Sequence, residues 1–127
     1  MEIPVYDRSN YLKGLLITAR KDNQLSEHEK KIIKGISDRL GFASDFYDEA
    51  IHNLLANKYI SEEPIKFSND RIAESFIIDA LKVAFSDTSS PTPELAWLKN
   101  VASANQIKPE WFEEQSSKVK NSPFVTK

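Results

Sequence analysis

Ala19-Arg20-Lys21-Asp22-Asn23-Gln24-Leu25-Ser26-Glu27-His28-Glu29 closes one amphipathic helix, turns, and opens another with an acid on either side of the turn. Sixty-five residues on, Ala84-Phe85-Ser86-Asp87-Thr88-Ser89-Ser90-Pro91-Thr92-Pro93-Glu94 matches Ala19, Asp22 and Glu29 with Ala84, Asp87 and Glu94. Overlaying residues 11–50 on 76–115 at the same offset pairs Leu16 with Leu81, Ile33 with Leu98, Ile36 with Val101 and Phe42 with Ile107. Ser44-Asp45-Phe46-Tyr47-Asp48-Glu49 then lies over Pro109-Glu110-Trp111-Phe112-Glu113-Glu114, with acid, two aromatics and two acids in the same order. Any two amphipathic helices agree roughly when slid past one another, but the shared turn between helices argues for a duplicated three-helix unit. Neither unit can cover its own apolar face. The expected fold is therefore all-α, a single helical bundle of two pseudo-symmetric three-helix units over residues 1–115, followed by a polar, partly flexible tail at 116–127.

Local signals place the helices. The first is expected from a Ser9 cap, with Leu12, Leu15, Leu16 and Ala19 on one side at i, i+3, i+4 and i+7. The second opens with Ser26 and Glu29 at capping-box spacing, buries Ile32, Ile33, Ile36 and Leu40, and stops at Gly41 with Phe42 beyond it. A third starts at Ser44 and buries Phe46, Tyr47, Ala50, Ile51, Leu54 and Leu55. Pro64 breaks the helical period, leaving a connector pinned by Tyr59, Ile60, Ile65 and Phe67. The helix from a Ser68 cap to about Ser86 is apolar on most sides, which marks it as central. Thr92 and Pro93 open the next helix, and Pro109 the last.

Composition narrows the class. The chain has 127 residues, 40% of them hydrophobic, enough for one buried core. A net charge of −2 gives no basic excess for a phosphate backbone, so nucleic acid is not the expected partner. With no cysteine there are no disulfides, thiolate ligands or cysteine nucleophile. Residues Met1 to Asp7 lack the basic and apolar regions of a signal peptide, and no apolar run approaches the roughly 20 residues of a membrane helix. The cytoplasm, without membrane insertion, is the expected setting.

The joint from Asp22 to Glu29, after an Ala-ended helix, resembles the twice-used helix-turn-helix joint of the tellurite-resistance TerB-like domains, which also occur as the N-terminal segment of some DnaJ-type chaperones. The resemblance spans about residues 9–115. It implies an all-α bundle with internal pseudo-symmetry, an acidic surface at the joints proposed to bind metal, and a stress-response setting. Asn23 stands where that pattern has glycine; in the second copy Thr88 replaces the glycine and Ser90 the hydrophobic residue, which makes Asp87 to Glu94 the weaker site.

The chemistry of the joints has two readings. Asp22 with Glu29, and Asp87 with Glu94, flank turns rich in oxygen donors and suit a hard divalent cation, Ca²⁺ or Mg²⁺ best. Equally, Glu29 and Glu94 serve as first-turn acids of their helices, and Asp22 as a turn residue bonding its own backbone. Asp22 does not begin an EF-hand, because the loop glycine is missing and Ile33 stands at the bidentate position. Asp45, Asp48 and Glu49, and likewise Glu110, Glu113 and Glu114, complement the dipoles at two helix starts; side by side they would offer a protein partner an acidic patch. His28 and His52 are expected at the surface. No catalytic triad or phosphate-cradling loop announces itself. A non-enzymatic module is expected, binding a divalent ion at its joints or, alternatively, acting as a ligand-free protein-interaction domain.

Overall fold

The computed structural model describes residues 4–20, 27–42, 48, 49, 52, 63–86 and 91–121. Among them it is all-helical and contains no strand: α1 Val5–Arg20, α2 Glu27–Arg39, α3 Asp70–Ala84, α4 Thr92–Ala104 and α5 Pro109–Lys120. Asp48, Glu49 and His52 are helical as well. None of the described helices is long and apolar enough to cross a membrane.

The helix α3 is the hub and packs against each of the other four. Its buried residues, Ile72, Ala73, Phe76, Ile77, Asp79, Ala80, Leu81, Val83 and Ala84, surround most of its circumference, as expected of a central helix. Its most extensive partner is α1, which buries Tyr11, Leu12, Leu15, Leu16 and Ala19. At the crossing the Tyr11 and Phe76 rings meet edge to face, with centroids 5.4 Å apart and planes at 86°. Phe67 joins them at 5.1 Å from Phe76. Gly14 lets the helices come this close, since a Cβ there would stand 2.5 Å from the Phe76 ring.

Helix ends follow local chemistry with three displacements. Asn69, rather than Ser68, caps α3, its side-chain oxygen accepting from the Ile72 amide at 2.9 Å. The first helix begins at Val5, a turn before Ser9. Its early residue Asp7 is buried and accepts a hydrogen bond from the Ser68 amide at 2.9 Å, so a tertiary contact holds this added turn. The final helix runs on to Lys120 and buries Val119, five residues past the boundary expected at 115.

The connector is held by Asn105, which donates to the Ile65 carbonyl at 2.7 Å and accepts from the Phe67 amide at 2.8 Å. Ile65 and Phe67 are buried as expected, while Tyr59 and Ile60 lie outside the described residues.

The helix bounds recur at the 65-residue offset. Shifted by 65, Val5–Arg20 becomes 70–85 and Glu27–Arg39 becomes 92–104, beside observed spans of Asp70–Ala84 and Thr92–Ala104. The stops recur too. At the end of α2, Gly41 at φ 90° donates to Asp38 and Phe42 donates back to Ser37 at 3.1 Å. At the end of α4, Gln106 at φ 62° donates to Ser103 and Ile107 to Ala102 at 2.9 Å. Both are Schellman stops, which need a left-handed residue, and glycine supplies it without a Cβ penalty.

Candidate functional site

The described half of each joint presents one glutamate. Glu29 and Glu94 sit in the first turns of α2 and α4, each only 3% exposed. Burial of a carboxylate costs several kcal/mol unless it is paired or hydrogen-bonded, and both glutamates are engaged by partners. Asp22 and Asp87, with Ser26, lie outside the described residues. In chemistry the two glutamates fit a hard cation, which takes oxygen ligands. In number they fall short: the described residues gather no group of three or more His, Asp or Glu able to hold a metal.

The acids expected to face a partner are exposed where they are described. Asp48, Glu49, Glu110, Glu113 and Glu114 all reach solvent, and Asp45 lies outside the described residues. Two of them are matched by cations, Glu113 by Lys99 at 3.1 Å and Glu114 by Lys118 at 3.4 Å. That stretch of α5 is therefore charge-mixed. His52 is exposed, as expected.

A polar cluster absent from the sequence reading sits at the α1–α3 crossing. Asp79 is buried in the middle of α3. Its Oδ2 accepts from the Tyr11 hydroxyl and from Arg39 Nη2, the latter at 2.5 Å. Its Oδ1 faces Lys82 at 3.8 Å. The Tyr11 hydroxyl also meets Ser75 Oγ at 2.9 Å. Burial first, then the Asp79 charge and hydrogen bond, push the Tyr11 phenol above its ordinary range. Arg39 is drawn up as well: burial works against its cation, but the Asp79 charge and hydrogen bond outweigh it.

The cluster opens on a cleft of about 480 Å³. Arg71, Glu74, Ser75, Ile78 and Asp79 line it from α3, Arg39 from the end of α2, and Trp111 from α5. Its volume is within the range of small-ligand pockets. One sequence signal points to it: Asp79 lies three residues after Phe76 and four before Val83, on an apolar side of α3, and buried acids are rare unless partnered.

No family model matches the chain, and neither do curated proteins or solved structures at a significant level.

Proposed function

We propose that the chain is a non-enzymatic, TerB-like helical module, built from two three-helix units, that holds a divalent cation at its acidic joints in a stress-response setting. The observation that carries this reading is the pair Glu29 and Glu94. They lie 65 residues apart, each in the first turn of its helix, and each is buried to 3% exposure although acids at helix starts are ordinarily solvated. Recurrence of the helix bounds and of both Schellman stops at that offset supports the duplicated unit. Asp22 and Asp87 would complete the two carboxylate pairs, with Ca²⁺ or Mg²⁺ the ions best suited to an all-oxygen donor set.

A second reading, a ligand-free interaction module, is favoured by the exposure of Asp48, Glu49 and Glu110, which leaves acidic side chains available to a basic protein partner. Melting separates the two. A cation at 100 times its Kd stabilises by about 2.7 kcal/mol, so Ca²⁺ or Mg²⁺ added after EDTA raises Tm in the wild type. The rise is lost in Glu29→Gln with Glu94→Gln, and in Asp22→Asn with Asp87→Asn, a second pair in case the buried glutamates are needed for folding. Absence of any metal-dependent shift, or the same shift in both pairs of variants, overturns the metal reading and leaves the interaction module.

A further inference from the structure

Beside the cleft, α3 buries the acid Asp79 where the position 65 residues earlier, in α1, is Gly14. At the α1–α3 crossing, Gly14 packs under the Phe76 ring. Shifted by 65, Gly14 becomes Asp79, and Tyr11 becomes Phe76. The Gly14–Phe76 contact and the Asp79–Tyr11 hydrogen bond are thus the same contact with its two helices exchanged. One side makes the approach with a glycine and an apolar ring. The other buries a carboxylate, which the Tyr11 hydroxyl, Arg39 and Lys82 partner.

What Asp79 does achieve is orientation. It holds one nitrogen of the Arg39 guanidinium, whose side chain is 57% exposed, at the edge of the cleft. Arginine has five N–H donors in a planar fork, so one bond to Asp79 leaves others to address a ligand. Arg71 lies one turn before Ser75 on α3, lines the same cleft, and pairs with no carboxylate among the described residues. In the lining, Arg39 and Arg71 stand beside Asp79 and Glu74. Half-buried Trp111 and Ile78 supply an apolar surface next to these charges.

We propose that this cleft is a binding site for a small molecule carrying a carboxylate or phosphate on an aromatic or apolar body, with Arg39 and Arg71 taking the anion and Trp111 and Ile78 packing against the body. Forked guanidinium donors match both anions in geometry, and an aromatic wall adds contact area and a stacking face. Glu74 repels the anion and limits affinity. The site is independent of the metal-binding proposal, since it uses none of the four joint acids.

The test follows the two indole N–H signals by NMR during titration with phenyl phosphate, phenylacetate and inorganic phosphate. Trp97 is buried away from the cleft lining and serves as the internal control. The Trp111 signal shifts saturably with an aromatic anion at a Kd near or below about 1 mM, and Trp97 does not move. The better of phenyl phosphate and phenylacetate distinguishes phosphate from carboxylate, and inorganic phosphate binds more weakly than either. Arg71→Gln, an exposed change that spares the fold, weakens binding about tenfold, and Glu74→Gln tightens it. No saturable shift, an unchanged Kd in Arg71→Gln, or weaker binding in Glu74→Gln overturns the assignment.

Discussion

Gly14 and Asp79 occupy matched places on the two sides of one helix crossing and fill them in opposite ways. Around Gly14 the approach is dry: the α1 backbone leaves room for the Phe76 ring, which is wholly buried and flanked by Tyr11 and Phe67. Around Asp79 the same approach carries a carboxylate, a phenol, a serine and, at the surface, an arginine. One arrangement tells how close the helices must come; the other shows that the closeness can be reached with a charged group in the seam. A polar seam is costlier to build and is rigid once every member is satisfied. The difference therefore separates what the bundle needs for packing from what it holds in addition.

The dry side is the more sensitive to substitution. In Gly14→Ala the new Cβ would stand 2.5 Å from the buried Phe76 ring and 3.2 Å from Ile65 Cδ1, so the ring must shift within the core. Overpacking of this kind costs about 2 kcal/mol, enough to outweigh the helix propensity that alanine gains over glycine. Chemical denaturation should register the loss as a lower midpoint with an unchanged slope; a variant as stable as the wild type would mean that the crossing has slack.

The polar side is probed by alkali. Because burial and Asp79 hold the Tyr11 phenol above its ordinary value, the phenol ionises earlier in the unfolded chain than in the folded one. The stability this contributes is complete below about pH 10 and declines as the pH rises beyond it, by up to about 1.4 kcal/mol per pH unit. Denaturation curves between pH 9 and 11 should fall less steeply for Tyr11→Phe than for the wild type, and parallel curves would show that the phenol is not held in this way.

Periodicity made the bundle legible. The stripes on α1 and α2, the all-round burial of α3 and the stop at Gly41 each rest on residues within one turn of one another, where spacing carries the information. What the sequence concealed depends on distant partners. The first turn of α1 is held by the bond that the Ser68 amide donates to Asp7, and the last turns of α5 by burial of Val119 in otherwise polar text. Asp79 is one of three carboxylates in α3, with Asp70 and Glu74, and its partners Arg39 and Tyr11 lie 40 and 68 residues away, beyond any local pattern. At the joints, the burial of Glu29 and Glu94 fits both sequence readings, whereas Asp22 and Asp87 fall outside the described residues.

If the crossing packs without its buried acid, one set of stabilities will show it. Asp79→Gly with Tyr11→Phe would rebuild the polar side as a copy of the Gly14–Phe76 contact. Replacing a buried ionic group by a well-packed apolar contact is often neutral or stabilising. Urea denaturation should therefore find the double variant more stable than Asp79→Gly alone and within about 1 kcal/mol of the wild type. A double variant more than about 2 kcal/mol less stable than the wild type would contradict the account and make the carboxylate part of the packing itself.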